Sequence, residues 1–237
     1  PTWLIDLSGC SLRCLFCTEW RHITEPHAAP AVPLRTSWFL RRLEAHRASG
    51  ARSISFVGGE PTVNLAGVLD VLADVPEELR LPIIWNTNGL IGAQAWPLLD
   101  GLVHTWLVDL KVHGEPAAQR LLGAGPLPYG DAVRATLDAV HPAHAPDLTV
   151  PPRLLIRHLL MPGALRDETL PTLREIATRW PNAVVNLMTM YLPYGPALRT
   201  LRTAPALRQM VSETDRTTAI ATARQLGLHL LVDGQAS

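Results

Sequence analysis

The segment Cys10-Ser11-Leu12-Arg13-Cys14-Leu15-Phe16-Cys17 holds all three cysteines of the 237-residue chain, at the spacing CxxxCxxC. An odd number of closely spaced thiols is a poor disulfide framework. A structural zinc site takes four protein ligands, so zinc would need a fourth donor such as His22 or His27. Three thiolates instead suit three corners of a [4Fe–4S] cluster whose fourth iron is free to bind a small molecule. The spacing favours the cluster and leaves zinc as the alternative.

Outward from this segment, apolar stretches of strand length alternate with helical patterns. Strands are predicted over Trp3–Leu7, Arg52–Val57, Leu81–Trp85, His104–Val108, Arg153–Leu160, Ala183–Met188 and, last, Leu228–Val232. Helices are predicted over Thr36–Ser49, from a cap at Asn64 to Leu72, and over Ile91–Leu99, Asp131–Val140, Asp167–Arg179 and Ser212–Leu226. Six β-then-α units without a change of composition predict an α/β fold, a partial (β/α)6 TIM-like barrel with a parallel sheet, in one domain over residues 1–237.

Polar motifs come directly after several of these strands. Gly58-Gly59-Glu60-Pro61-Thr62 follows the second strand, Asn86-Thr87-Asn88-Gly89 the third and Asp109-Leu110-Lys111 the fourth, while Arg157 and His158 lie in the fifth. Parallel α/β folds bind ligands at the carboxyl ends of their strands, so these motifs and the cysteines are expected to converge at one mouth. The only lysine among 21 basic residues stands in the third of these motifs, and an arginine does not imitate its compact ammonium.

The cysteine spacing, with the aromatic Phe16 just before the third cysteine, resembles the signature of the radical S-adenosylmethionine (SAM) superfamily, and Gly58-Gly59-Glu60 resembles its GGE motif. Within the superfamily the chain looks most like the pyruvate formate-lyase activating enzymes and their uncharacterised relatives that contain GGEPT. The resemblance implies one radical SAM domain in which Cys10, Cys14 and Cys17 bind a [4Fe–4S] cluster. The open iron of that cluster would chelate the amino and carboxylate groups of SAM.

The resemblance also implies roles for the motifs after the strands. Gly58, Gly59 and Glu60 are expected to approach SAM closely and to accept hydrogen bonds from its ammonium. Lys111 is expected to neutralise the SAM carboxylate. On this reading the catalytic residues are Cys10, Cys14, Cys17 and Lys111, and Phe16 lies at the cofactor.

Further expectations concern the third, fourth and fifth strands. In the family the residue matching Asp109 helps to hold a monovalent cation beside the SAM carboxylate. Asn86 stands where the family has an aspartate, which removes a negative charge and puts that cation site in doubt. Thr87 or Asn88 is expected to hydrogen-bond SAM. His158, favoured over the arginine before it, is expected to reach the ribose and methionine end of SAM, with a buried structural role as the alternative.

The chemistry implied by the resemblance is reductive cleavage of SAM to a 5′-deoxyadenosyl radical, which abstracts hydrogen from a substrate. The electron would come from a reductant such as a flavodoxin or a ferredoxin. Activation of a glycyl-radical enzyme is the preferred role. The alternatives are an enzyme that modifies a small molecule or a peptide and, less favoured, a structural zinc or iron–sulfur binding module.

Two stretches are candidates for the substrate mouth. Met188–Gly195 follows the sixth predicted strand and is rich in methionine and tyrosine, and Trp20, Arg21 and His22 follow the cysteines. Core and loop packing is the alternative explanation for these residues.

Charge and hydropathy argue against other classes. The 21 acidic residues balance the 21 basic ones, so a nucleic-acid partner is not expected. No stretch reaches the roughly 18 apolar residues of a membrane helix, and a cytoplasmic location is expected. The strand-like start at Pro1 leaves open whether native residues precede it.

Overall fold

One open sheet of seven parallel strands and a short antiparallel eighth dominates the computed structural model, which describes residues 1–24, 32–199, 202 and 204–236. The strands lie side by side in chain order, and within these ranges the first and last strands do not pair. The sheet is therefore a partial barrel. Its strands are β1 (Thr2–Leu7), β2 (Ser53–Gly58), β3 (Ile83–Thr87), β4 (Val103–Asp109), β5 (Leu154–Leu159), β6 (Val184–Met188), β7 (His229–Val232) and β8 (Gln235–Ala236).

Helices connect the parallel strands, as parallel pairing requires. The α-helices in the described ranges are α1 (Trp20–Thr24), α2 (Thr36–Ala48), α3 (Leu65–Ala73), α4 (Trp96–Leu99), α5 (Glu115–Ala117), α6 (Tyr129–Val140), α7 (Leu170–Arg179) and α8 (Glu213–Gln225). Every helix in the described part of the chain is too short or too polar to span a membrane. The alternation confirms the predicted α/β fold with a parallel sheet and a partial barrel.

The two faces of the sheet differ in character. On β1, residues 3, 5 and 7 are buried, whereas residues 2, 4 and 6 are exposed. The buried Trp3 packs against Phe39 of α2, with ring centroids 5.2 Å apart. On β5 the residues at 154, 156 and 158 are buried, and those at 155, 157 and 159 are partly exposed. The outer face thus carries the apolar core beneath the helices, and the inner face is left for ligands.

The ends of β1 and β2 approach each other unusually closely. The Gly59 amide donates to the carbonyl of Leu7 at 2.7 Å, and the Glu60 amide donates to the carbonyl of Gly9 at 2.8 Å. Gly58 has a φ of +81°, and a Cβ at Gly59 would overlap the carbonyl oxygen of Gly9. Both glycines of the GGE motif are therefore required by the backbone itself.

Two predictions about helices are wrong. The helix predicted over Ile91–Leu99 begins only at Trp96, after a short 3-10 turn, because Pro97 has no amide hydrogen and fits only in a first helical turn. The side chain of Asn64 does not cap α3. It donates instead to the carbonyl of Ser8 at 2.8 Å and thereby joins the start of α3 to the loop after β1.

The sequence analysis missed two α-helices, α1 and α5. α5 continues into a single π-helical turn, Ala118–Leu122, which ends at Gly123 in the left-handed conformation. The proline at position 116 and the glycines on either side obscured the helical periodicity here.

Gly59→Ala is expected to lower the free energy of unfolding by about 2 kcal/mol or more, because the new methyl group overlaps backbone that cannot retreat. Gly67→Ala is the matched control: Gly67 lies inside α3 with open space around it, so this change should be neutral or add up to about 1 kcal/mol. Urea unfolding of both variants without cofactors tests the pair. Equal stability of the two variants would contradict the steric argument.

Candidate active site

A cavity of about 660 Å³ opens at the carboxyl ends of the parallel strands. Each sequence motif expected at the mouth contributes to its wall. The lining residues that the sequence analysis had selected are Cys10, Cys14, Phe16, Cys17, Gly58, Gly59, Glu60, Asn86, Thr87, Asn88, Asp109, Lys111 and Arg157. The predicted convergence of these motifs on one mouth is therefore confirmed.

The cysteine loop presents three free thiols, all partly buried, along one side of this cavity. Backbone hydrogen bonds hold the loop, since the amides of Arg13 and Leu15 donate to the carbonyls of Leu122 and Leu121, each at 2.8 Å. Gly123 follows at once, and a Cβ there would lie 3.0 Å from the Cβ of Arg13. The π-helical turn missed in the sequence is thus the support for the cysteine loop.

The donor set fits an iron–sulfur cluster better than a single zinc ion. A single ion draws its sulfur ligands tightly together, and within the described ranges no three histidine, cysteine or acidic side chains form such a group. His22 lies 3.7 Å from Glu19, and His27 lies outside the described residues. Three thiolates on one loop suit three corners of a four-iron cube, and all three cysteines lie on one loop that lines an open cavity.

Burial controls the protonation of these thiols. It raises the pKa of Cys14 to about 12, against a smaller opposite effect of the Lys111 ammonium. Burial also raises the pKa of Cys17. Both thiols are therefore protonated at neutral pH in the metal-free protein, and metal binding has to displace their protons.

Glu60 connects the loops after β2 and β3. Its carboxylate is buried and accepts hydrogen bonds from the Thr87 hydroxyl at 2.8 Å, the Asn88 amide at 2.7 Å and the Thr62 amide at 3.1 Å. Burial raises the pKa of Glu60, and these donors oppose that shift. The side chain of Asn88 continues the connection, because its Nδ2 lies 3.5 Å from the Cys10 sulfur and 3.0 Å from the hydroxyl of Ser11.

Asp109 stands between two cations on the cavity floor. Its carboxylate lies 2.5 Å from Lys111 Nζ and 2.5 Å from Arg157 Nε. Burial alone would raise the pKa of Asp109, but Arg157 and Lys111 outweigh it and the pKa is lowered. Burial alone would lower the pKa of Lys111, but Asp109 raises it. All three groups are charged at neutral pH, so the trio carries one net positive charge.

His158 does not line the cavity, so its predicted contact with SAM is wrong and the alternative, a buried structural position, is observed. Its ring is fully buried on the outer face of β5, with Nδ1 2.7 Å from the carbonyl of Leu110 and Nε2 3.0 Å from the hydroxyl of Thr169. Burial lowers its pKa to about 4, so the ring is neutral. Side chains alternate along a strand, so the neighbouring Arg157 faces the cavity instead.

Asn86 takes part in the same network. Its Oδ1 accepts a hydrogen bond from the Arg157 guanidinium at 3.0 Å. Where the family has an aspartate, this chain therefore has an asparagine, and the cation beside it is the guanidinium of Arg157. In the structure Arg157 is directly opposite Asp109 in the register of β4 and β5, a pairing that the sequence alone does not reveal.

The two stretches expected at the substrate mouth also meet. Thr18, Glu19, Arg21 and His22 face residues 192–194 across an open cleft, and the first two of them also line the cavity with the thiols. The cleft therefore adjoins the cavity.

Asp109→Asn is expected to lower the free energy of unfolding at pH 7 by about 3 kcal/mol, because it leaves two partly buried cations without a carboxylate. The folded pKa of Asp109 lies below its unfolded value of about 4, so its contribution is full above that value and is lost as the pH falls further. The difference from the wild type should be smaller at pH 3 than at pH 7.

Asp138→Asn is the control for this prediction, since Asp138 pairs with Arg179 on the surface and should cost less than about 1 kcal/mol. Urea unfolding of both variants at the two pH values is the measurement. A stability loss for Asp109→Asn that does not depend on pH would contradict the assignment of the shift to a charged pair.

Comparison with known proteins gives concordant results. The model of the radical SAM superfamily matches residues 4–196. The uncharacterized protein MJ0674 of Methanocaldococcus jannaschii is 26% identical over 237 residues, which cover 98% of this chain and 65% of that protein. The chain thus spans less than two thirds of the length of this curated relative.

Solved structures share the fold at low identity. A radical SAM methyltransferase from Sphaerobacter thermophilus superposes with a TM-score of 0.65 at 15% identity, covering 98% of this chain and 65% of that one. Streptococcus suis SuiB bound to SAM gives 0.63 at 17% identity, covering 99% and 51%. A domain of pyruvate-formate lyase-activating enzyme from Bacteroides vulgatus gives 0.52 at 18% identity, covering 75% and 96%. With its family model matched over residues 4–196, the chain belongs to the radical SAM superfamily, whose cofactors are a [4Fe–4S] cluster and SAM.

Proposed function

We propose that the chain holds its cluster on Cys10, Cys14 and Cys17, binds SAM in the adjoining cavity and abstracts hydrogen from an organic substrate. The observation that carries this proposal is the placement of three free thiols around the same cavity as the Gly58–Glu60 loop and the charged Asp109–Lys111 segment. One cavity thereby brings together a candidate site for the cluster, a candidate site for an anion and a loop that SAM can approach closely.

The cofactors supply the radical step: when bound together, the cluster and SAM yield a 5′-deoxyadenosyl radical by one-electron reductive cleavage, the electron coming from a protein such as a flavodoxin or a ferredoxin. The task of the protein is to bind and orient SAM and to keep water away from it. Lys111 and Arg157, with one net positive charge after Asp109 is counted, offer the site for the SAM carboxylate. Gly59 lines the cavity and its carbonyl accepts no hydrogen bond from a described residue, so we propose this carbonyl as the acceptor for the SAM ammonium.

Glu60, Thr87 and Asn88 act as positioning residues in this proposal. The Glu60 carboxylate and the Thr87 hydroxyl are already hydrogen-bonded to each other at 2.8 Å. The Asn88 side chain is directed to Cys10 and Ser11. These residues hold the β2 and β3 loops against the cysteine loop, so they fix where SAM can lie.

Activation of a glycyl-radical enzyme is the specific role that we propose to test first. It is supported by the likeness of fold to the activating-enzyme domain, 96% of which is covered by this chain. The second candidate is modification of a small molecule or a peptide, which the open cleft beside the cavity also accommodates. A glycyl-radical signal in the electron paramagnetic resonance spectrum of a candidate partner, dependent on this enzyme and SAM, separates the two. Because the chain belongs to the radical SAM superfamily, we do not propose a purely structural zinc or iron–sulfur module.

We further propose that residues 1–237 act as one radical SAM domain. The family match ends at residue 196, but β7 pairs with β6 in the same sheet over four residues. The C-terminal part of the chain is therefore continuous with the barrel that holds the site.

Replacing Cys10, Cys14 or Cys17 singly with alanine is expected to abolish the brown colour and SAM cleavage after anaerobic reconstitution with iron and sulfide. Each change removes one thiolate from a three-thiolate set. The assay is formation of 5′-deoxyadenosine after reduction with dithionite. Each variant should keep its unfolding midpoint when metal-free, which serves as the control for folding. Undiminished cleavage of SAM by any one variant would contradict the assignment of the cluster to these three cysteines.

Arg157→Gln is expected to raise the Kd for SAM about tenfold, since a charge-assisted contact is worth about 1.5–3 kcal/mol. His158→Gln should leave that Kd within about twofold and lower the free energy of unfolding by about 1–3 kcal/mol, because both ring nitrogens have buried partners. Equilibrium binding and urea unfolding of the two variants give the comparison. A larger increase in the Kd for SAM in His158→Gln than in Arg157→Gln would instead support His158 as the contact to SAM.

A further inference from the structure

The segment after β6 exposes a regular row of apolar side chains beside the cavity. Met190, Leu192 and Tyr194 are 61%, 64% and 49% exposed, whereas Thr189 before the row and Tyr191 within it are buried and Pro193 is partly buried. The segment from 189 to 194 contains no turn or bend. The alternation of exposed residues with buried or partly buried ones is the pattern of an extended chain, in which alternate residues lie about 6.6 Å apart. This is the period at which an extended polypeptide places its own side chains.

The base of this segment is fixed, so the row is held in place. The carboxylate of Asp233 accepts hydrogen bonds from the amide and the hydroxyl of Thr189, at 2.6 and 2.7 Å. The hydroxyl of Tyr191 donates to the carbonyl of Leu207 at 2.7 Å. The inward residues anchor the segment, and the outward ones are presented to solvent.

The backbone of the segment offers free hydrogen-bonding groups. The amides of Leu192 and Tyr194 donate to no described residue, and the carbonyl of Leu192 accepts from none. Groups two residues apart in an extended chain point to the same side, so Pro193, which lacks an amide hydrogen, does not interrupt this edge. Such an edge can pair with a second extended chain.

Cations border the same place. The ring of Trp20 lies against the backbone of Gly195, whose φ is +54°, and this contact joins α1 to the segment. The guanidinium groups of Arg21 and Arg199 lie 5.5 and 5.4 Å from the centre of that ring. Neither forms an ion pair with a described residue, and the acidic group on the cleft is Glu19, which lies near His22. Counted together, Arg21, Arg199 and Glu19 leave one net positive charge among these described groups, with Arg21 lining the cleft and Arg199 beside it.

We infer that the open cleft formed by Thr18, Glu19, Arg21, His22, Leu192, Pro193 and Tyr194, here named the entrance cleft, docks the substrate as an extended, acidic polypeptide segment with apolar side chains at alternate positions. The spacing of the exposed row, the free backbone edge and the two arginines each match that chemistry. The inference rests on the proposed function, because Thr18 and Glu19 line both the entrance cleft and the cavity and so give a docked residue its way in.

The test is selection of random linear dodecapeptides, displayed on phage, against the reconstituted protein with SAM under anaerobic conditions. Peptides that carry aspartate or glutamate and alternate apolar residues should be enriched. The most enriched peptide, synthesised with a fluorescent label, should bind Leu192→Asp and the double variant Arg21→Glu/Arg199→Glu about tenfold or more weakly than the wild type.

Matched controls are Leu148→Asp and Arg41→Glu, since Leu148 is 66% exposed and both residues lie outside the entrance cleft. These two should bind the peptide as the wild type does. No enrichment over a selection on Leu192→Asp, enrichment of basic peptides, or equal binding by all variants would overturn the inference.

Formation of 5′-deoxyadenosine without substrate separates the two levels of the argument. All four variants should retain it, because none of the changed residues lines the cavity beside the thiols. If the wild type forms 5′-deoxyadenosine but shows no peptide selectivity, only the docking inference is refuted. If the wild type forms no 5′-deoxyadenosine, the proposed function is refuted, whatever the result of the peptide selection.

Discussion

The buried carboxylate of Glu60 is the interaction on which the rest of the site depends. It accepts one side-chain and two backbone hydrogen bonds, from Thr87, Asn88 and Thr62, and so joins the ends of β2 and β3. Asn88 carries the connection on to Cys10, and the close approach of Gly59 to Leu7 binds the same loop to β1. A buried polar group is favourable only when it is fully hydrogen-bonded. The loop after β2, the loop after β3 and the cysteine loop therefore depend on one another for their positions.

Charge balance explains the second half of the cavity. One carboxylate, Asp109, faces two cations, Lys111 and Arg157, and burial strengthens each interaction because little water is present to screen it. The surplus positive charge favours the binding of an anion beside it. SAM carries a carboxylate, and a reduced cluster with three thiolates is itself anionic, so the observed surplus suits both cofactors of the superfamily.

Much of this could be predicted from the sequence, because the decisive signals are local. Cysteine spacing, the paired glycines and the strand-helix alternation identify the fold, the family and the wall of the cavity. The prediction failed where a side chain could point either way along a strand. His158 and Arg157 are adjacent, and only the alternation seen in β5 shows that the histidine faces Thr169 while the arginine faces the cavity. The π-helical turn at Ala118–Leu122 was missed because a single turn of five residues is too short to show a periodicity in the sequence.

The support of the cysteine loop by that turn has a consequence for how such an enzyme can change over time. Leu121 and Leu122 hold the loop through their carbonyl groups, which every amino acid possesses. These contacts therefore do not depend on the residue types at positions 121 and 122, whereas the side chain of Arg13 also holds the loop by donating to the carbonyls of Cys10 and Leu12, at 2.6 and 2.8 Å. Residues 121 and 122 can therefore be exchanged for others over evolution while the main-chain contacts that position the cysteine loop are kept.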